Sequence, residues 1–150
     1  MTRIINTQSP GKERRHLRRT IAEALRRLSE KPELDGEARD LTALIVFSLR
    51  GIEDTVKQVV EVWEKRNYYL KADRFRSEWS WAGRMADRIE KILRGEEWEE
   101  LPQLLAQLLP HFEDIRVARM TRSPSLWRGA YARLLDDAQD GRAHQRVERG

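Results

Sequence analysis

The sequence predicts an all-α protein, an antiparallel up-and-down bundle of four to five helices with a long central helical hairpin. Three observations predict this fold class. Apolar residues recur every three to four positions over most of the 150 residues, as on one face of a helix. No stretch shows the sustained period-2 alternation that a half-buried strand requires. Ser-Pro pairs and a Gly stand where the periodic segments begin and end.

The first helix is predicted to begin at Ser9 and Pro10, because Ser accepts a hydrogen bond from free amides and Pro suits the first helical position. An apolar face follows at helical spacing, and the pattern stops around Lys31 and Pro32. The residues of that face are Leu17, Ile21, Ala24, Leu25 and Leu28.

A second helix is predicted from about Asp35 or Gly36 to Lys65, with an apolar seam broken only by Thr42. The seam resumes one register later in a third helix. This change of register predicts a tight turn with Asn67 as the next N-cap, and hence an antiparallel hairpin. One long bent helix is the alternative, since neither Gly nor Pro marks the turn. The two seams are Ala38, Thr42, Ile45, Leu49, Ile52, Val56, Val59 and Trp63, then Tyr68, Ala72, Phe75, Trp79, Ala82, Ala86, Ile89 and Leu93.

Gly95 is predicted to end the third helix. Two prolines interrupt the apolar rhythm that follows, which predicts two short helices or one kinked helix. Ser123 and Pro124 repeat the earlier start signal and predict a last helix. Residues 1–139 are therefore expected to form a single helical-bundle domain, and residues 140–150, which lack apolar periodicity, a flexible basic tail.

The composition excludes several classes of protein. There is no Cys, which excludes disulfides, thiol catalysis and Cys-ligated metal centres. The amino-terminal residues lack the apolar core of a signal peptide. The longest strongly apolar run, residues 41–49, is too short to cross a bilayer. We therefore expect a cytoplasmic protein without a membrane-spanning segment.

No set of residues predicts chemistry. His16, His111 and His144 have no neighbours at a strong metal-ligand spacing. Neither a glycine-rich phosphate loop nor a Gly-x-Ser-x-Gly motif occurs. The predicted seams hold no carboxylate and no His, which argues against a metal centre inside the bundle. We expect no cofactor, no metal and no catalytic residues. An enzyme or small-ligand carrier with a pocket between helices is a third alternative, without named residues.

Basic charge is concentrated in two segments. Residues 11–27 hold seven Lys or Arg and two Glu, and residues 115–135 hold five Arg and no acid, whereas residues 95–114 hold six acids and no Lys or Arg. Such segregation predicts a phosphate-binding face or internal pairing between helices. The candidate polyanion-binding residues are Arg15, Arg19, Arg26, Arg116, Arg119, Arg122 and Arg128.

The second and third helices carry more apolar surface than one packed face would bury, which favours a homodimer. Trp81 stands apart from the seam and fits three roles: packing against another helix of the chain, a subunit interface, or a stacking platform for bases. The candidate interface residues are Phe47, Trp81, Met85 and Ile92. The leading hypothesis is a non-enzymatic scaffold module that self-associates by helix pairing. The alternative is a nucleic-acid-binding accessory or regulatory protein.

Overall fold

The computed structural model describes residues 9–137. Within this range the protein is an all-α bundle without strands, as predicted. The boundary predicted at residue 139 and the tail predicted for residues 140–150 lie outside the described residues. The helices are α1 (Pro10–Ser29), α2 (Gly36–Lys65), α3 (Tyr69–Gly95), α4 (Leu101–Leu108) and α5, which is helical from 130 through 137; 3-10 turns span Trp98–Glu100, Leu109–Phe112 and Pro124–Leu126.

Both predicted starts of the first two helices are confirmed. The Ser9 hydroxyl accepts a hydrogen bond from the Lys12 amide at 3.2 Å, and the Asp35 carboxylate accepts one from the Ala38 amide at 2.8 Å. Each bond satisfies an amide that the first turn of a helix leaves without a backbone partner. Local sequence therefore determines where these two helices begin.

The central hairpin is formed by α2 and α3, which pack in antiparallel orientation along most of their lengths. Across them, Arg50 donates to Asp87 at 2.7 Å and to Glu90 at 3.2 Å. Thr42, the polar member of the predicted seam, is fully buried, and its hydroxyl donates to the Ala38 carbonyl at 2.7 Å. That bond satisfies the hydroxyl within its own helix, so Thr42 does not interrupt the core.

The predicted turn between α2 and α3 is confirmed, but the predicted cap is wrong. The Tyr68 amide donates to the Trp63 carbonyl at 2.8 Å, and Asn67 has a φ of 63°. Asn tolerates this left-handed conformation better than most residues. Asn67 therefore provides the left-handed residue of the turn rather than the cap of α3. The N-cap position belongs to Tyr68, without a side-chain capping bond.

The last helix begins later than predicted. Pro124 starts only one 3-10 turn, and Gly129 follows with a φ of 82°. The Asp40 carboxylate, on α2, accepts hydrogen bonds from the Gly129 amide at 3.1 Å and from the Tyr131 amide at 3.0 Å. The start of α5 is therefore capped by a side chain distant in sequence, which local signals could not indicate.

The hairpin extends beyond α1. The first helix crosses α2 closely at Gly51, where an added Cβ would lie 2.7 Å from a Leu17 methyl group. Counted from this crossing at 1.5 Å per residue, the carboxyl end of α2 lies roughly 10 Å beyond the level at which α1 begins. The apolar contacts there form a second cluster of α2 and α3 residues, which meets the main core at Trp79, and the Arg14 guanidinium of α1 lies over the Phe75 ring at 5.0 Å. We call this part the hairpin end; its members are Val56, Val60, Val62, Trp63, Tyr68, Tyr69, Leu70, Ala72 and Phe75.

Candidate interaction surfaces

The two basic segments lie side by side. The Arg19 guanidinium donates to the carbonyl oxygens of Arg116 and Arg119, both at 3.1 Å. About two turns further along α1, Arg26 donates to the Val117 carbonyl. Residues 115–122 therefore run along the polar side of α1, and the arginines of α1 satisfy backbone carbonyls that no secondary structure pairs.

A buried carboxylate fixes this arrangement. Glu23, on α1, is 1% exposed and accepts hydrogen bonds from the Arg19 Nε at 2.8 Å, the Thr121 amide at 2.6 Å and the Arg122 amide at 2.9 Å. The Thr121 hydroxyl donates to the same carboxylate, and the Arg122 guanidinium lies 3.8 Å away. We call Glu23, Arg19, Thr121 and Arg122 the Glu23 clamp.

The clamp keeps Glu23 ionised. Burial alone would raise the pKa of this carboxyl, because a low-dielectric site disfavours charge. The hydrogen bonds from Arg19, from the Thr121 hydroxyl and from the two amides outweigh burial and lower the pKa to about 2. The net effect makes Glu23 a structural anion that holds a segment lacking regular structure against α1.

The seven candidate polyanion-binding residues divide into two sets. Three are engaged inside the protein: Arg19 and Arg122 in the clamp, and Arg26 on the Val117 carbonyl and, at 3.4 Å, on Glu30. The side chains of the other four are exposed and form no hydrogen bond or ion pair with the described part of the chain. These four are Arg15, Arg116, Arg119 and Arg128.

The candidate interface residues pack within the chain. Trp81 stacks on His111, with 3.7 Å between ring centroids and 9° between planes, and meets Phe112 edge-on at 5.9 Å. Met85 and Ile92 are 6% and 5% exposed. Phe47 is half-buried against the main core. The first of the three roles weighed for Trp81 thus accounts for its apolar contacts, and a role of these four residues between subunits stays an untested prediction.

Polar contacts surround the Trp81 stack. Arg18 donates to both carboxylate oxygens of Asp114, at 3.0 and 2.6 Å, and to the His111 carbonyl at 2.8 Å. Burial, followed by the charge of Arg18, lowers the pKa of His111. His111 is therefore a neutral ring at pH 7, which suits its stacking on an indole.

Four large apolar side chains are exposed at the hairpin end. Tyr68, Tyr69 and Leu70 are 52%, 56% and 66% exposed, and Val62 on α2 is 46% exposed. Trp63 packs edge-on against Phe75 at 5.2 Å, and both rings are half-buried. Tyr68 was placed in the predicted seam, but it lies in the turn at the N-cap of α3, where no third helix of the described chain covers it. An apolar period indicates a helix face and does not show whether that face is covered.

A second apolar surface lies at the opposite end of the bundle. It is a groove of about 600 Å³ between α4, the end of α1 and the loop before α2. We call it the apolar groove. Its apolar lining consists of Leu25, Leu28, Pro32, Leu34, Ala38, Trp98, Leu101, Pro102, Leu105, Ala106 and Leu109.

Within residues 9–137, no group of three or more His, Cys, Asp or Glu side chains is arranged to hold a metal ion. None of the helices in that range is long and apolar enough to cross a membrane.

The fold and its surfaces place the protein in the class of all-α helical bundles that display apolar patches. No protein-family model, no curated protein and no solved structure matches the chain.

Proposed function

We propose that this protein is a non-enzymatic helical interaction module that self-associates through the hairpin end, with a homodimer as the favoured assembly. The exposed apolar side chains of Val62, Tyr68, Tyr69 and Leu70 carry the proposal. Tyr68, Tyr69 and Leu70 line one concave surface together with Trp63 and Phe75, and large exposed apolar patches are uncommon on monomers and mark contact sites. The cytoplasmic location expected from the sequence remains part of the same proposal.

The shape of the hairpin end supports a second copy as the occupant. Two helices without a third expose a side that bundles normally cover, and two such hairpins packed about a two-fold axis would form a four-helix bundle. Tyr is suited to such contacts because it buries a large apolar ring and keeps its hydroxyl hydrated.

The charges around the hairpin end are compatible with self-pairing. Both signs are interspersed there, so that two copies can place opposite charges together. Arg76 pairs with Glu64 and Asp73 within the chain; the other cations are Lys65, Arg66, Lys71 and Arg74, and the other anions are Glu61 and Glu78.

Sedimentation equilibrium between about 1 and 100 µM tests the proposal by measuring the dissociation constant. We expect the wild type to dimerise and the double variant Tyr69→Ser, Leu70→Ser to dissociate at least about tenfold more readily. The matched control is Leu126→Ser, since Leu126 is 42% exposed and lies outside the hairpin end. A monomeric wild type over this range, or equal effects of the two changes, would contradict the proposal.

The second candidate function is nucleic-acid binding, and one observation favours it: the two basic segments adjoin and leave Arg15, Arg116, Arg119 and Arg128 exposed. Phosphate contacts need cations that are not already neutralised within the protein. Arg19, Arg26 and Arg122 fit this role less well, since they bind carbonyls or carboxylates of the chain itself.

Titration with duplex and single-stranded DNA at several salt concentrations tests this candidate. Changing Arg116 and Arg119 to Ser should reduce the slope of log K against log salt by roughly two. The matched control changes two exposed cations of the hairpin, Lys57 and Arg66, to Ser. Absence of measurable affinity at low salt would end the nucleic-acid proposal and leave the self-association proposal unaffected.

A further inference from the structure

The helix α4 has apolar side chains on two sides. Leu101, Leu104 and Leu108 are buried in the main core. Leu105 is half-buried and Leu109, in the 3-10 turn that follows, is 51% exposed. Both line the apolar groove. A helix that is apolar on two sides requires a second partner, and the described chain supplies only one.

We propose that the apolar groove binds an amphipathic helix of a partner protein, with cations flanking the apolar face of that helix. This inference concerns a surface separate from the hairpin end and does not depend on self-association. Two features of the groove favour this occupant: the spacing of its apolar residues and the charge of its rim.

The spacing suits a helix. Leu105 and Leu109 are four residues apart and form a ridge about 6 Å long, one turn of helix, while Leu101, which also lines the groove, is only 2% exposed. Leu25 and Leu28 of α1 form the facing wall. A ridge of this kind accepts side chains spaced i and i+3 or i+4 from a helix lying alongside it. The volume also falls in the range of roughly 300–1,000 Å³ typical of ligand sites.

The rim selects for positive charge. Glu33 and Glu99 line the groove, and neither carboxylate is bonded to a cation of the described chain. Lys31 is the cation of the lining, but its ammonium group lies 2.9 Å from both Asp35 and Glu37. A partner therefore meets two uncompensated carboxylates beside apolar walls.

Neighbouring acids add to this potential. A side-chain hydrogen bond with Glu97, followed by the charge of Glu97 and, to a smaller extent, that of Glu99, raises the pKa of Glu100, as acids close together do. The acidic segment that follows α3 thus meets the rim of the groove, on a protein whose net charge is +4. A fatty acid would place its carboxylate against these groups, so a cationic helix is the better occupant.

Fluorescence anisotropy with labelled model peptides tests the inference. The probes are a peptide of Leu and Lys about 14 residues long, with Leu at helical spacing, and its counterpart with Glu in place of every Lys. The double variant Tyr69→Ser, Leu70→Ser serves as background for every measurement, so that self-association cannot mask the groove. We expect this background protein to bind the Leu–Lys peptide at least about tenfold more tightly than the Leu–Glu peptide.

Two substitutions then locate the site. Leu105→Lys should weaken binding of the Leu–Lys peptide at least about tenfold, whereas Leu126→Lys, the same change outside the groove, should leave it unchanged. Glu99→Lys should weaken the Leu–Lys peptide and strengthen the Leu–Glu peptide. Opposite changes in the two affinities cannot come from a folding defect, because a folding defect would weaken the binding of both peptides.

Three results would overturn the inference. The first is equal affinity for the two peptides, and the second is an equal effect of Leu105→Lys and Leu126→Lys on peptide binding. The third is that decanoic acid binds the protein without displacing the peptide, and that Leu105→Lys abolishes this binding of decanoic acid. The last result would assign the groove to a small apolar ligand.

Discussion

The C-terminal segment of residues 113–137 and the hairpin end use their residues in opposite ways. The C-terminal segment is rich in arginine, yet two carboxylates of other helices hold its backbone: Glu23 binds the amides of Thr121 and Arg122, and Asp40 caps α5. The predicted seam of α3 starts at the hairpin end with Tyr68, yet Tyr68 and its neighbours Tyr69 and Leu70 are more than half exposed.

The difference shows that the type of a residue, charged or apolar, does not decide whether its side chain is buried or exposed. A carboxylate is stable in a buried site when amides and a guanidinium satisfy its oxygens. An aromatic or aliphatic residue on a regular apolar stripe stays exposed where the stripe outlasts its partner helix. Charge therefore serves internal structure in the first region, and apolar surface is available for contact in the second.

Of the changes at the clamp, at the cap of α5 and at the hairpin end, the largest effect is expected from Glu23→Gln, which removes the charge of the clamp while keeping its size. Arg19 and the two amides would lose their anion, and we expect the free energy of unfolding to fall by about 3 kcal/mol. Urea unfolding at pH 7 measures this loss. The control is Glu30→Gln, whose side chain is 60% exposed beside Arg26 and should cost less than about 1 kcal/mol. Equal stability losses in Glu23→Gln and Glu30→Gln would show that the clamp does not stabilise the fold more than an exposed ion pair does.

The pH dependence of the free energy of unfolding gives a second test of the clamp. Because the pKa of Glu23 is 4.5 ordinarily and about 2 when folded, the unfolded chain takes up this proton first as the pH falls. The contribution of the clamp is fully present above pH 4.5 and is lost towards pH 2, by up to about 3 kcal/mol. The pKa values of Asp35, Glu37 and Asp114 are also lowered, so the Glu23→Gln variant should lose stability too, but less steeply. Parallel stability–pH curves would refute this assignment.

A smaller effect is expected at the second carboxylate. Asp40→Ala removes the cap of α5, and we expect a loss of about 1 kcal/mol together with faster hydrogen exchange at the Gly129 and Tyr131 amides. Asp54→Ala is the control, since Asp54 is exposed on α2 and forms no hydrogen bond in the described chain. Unchanged exchange at the two amides would show that other contacts hold α5.

The smallest effect is expected at the hairpin end. Leu70→Ser should change the stability of the monomer by less than about 0.5 kcal/mol, because Leu70 is 66% exposed and loses few contacts. The same change at Leu49, which is fully buried, should cost about 3 kcal/mol or more. Thermal unfolding at a concentration low enough to keep the protein monomeric provides the measurement. A large loss at Leu70 would show that the exposed residues stabilise the hairpin instead of serving contact.

Much of the fold was predictable because its signals are local. The Ser9 and Asp35 caps, the register shift after Trp63 and the end of α3 at Gly95 each depend on residues a few positions apart. The late start of α5 was not predictable, since its cap is Asp40, some ninety positions earlier in the chain. The covering of Trp81 by His111 also depends on a contact between residues far apart in sequence, though only about thirty positions.

The candidate surfaces were predictable only in composition. The sequence indicated two basic segments and an excess of apolar surface, and both are present. It did not indicate that Glu23 would draw Thr121 and Arg122 onto α1 and engage Arg19, Arg26 and Arg122 internally. The exposed residues at Tyr69 and Leu70 and the groove beside Leu105 also depend on where neighbouring helices end.

By itself, the sequence determined the helical class, the long hairpin and the absence of thiol chemistry, because periodicity, caps and composition act over short distances or over the whole chain. Only the tertiary structure decided which charges are satisfied internally and which apolar faces are covered. Burial depends on the length and position of a partner helix, and these are properties of the packed bundle rather than of any one segment.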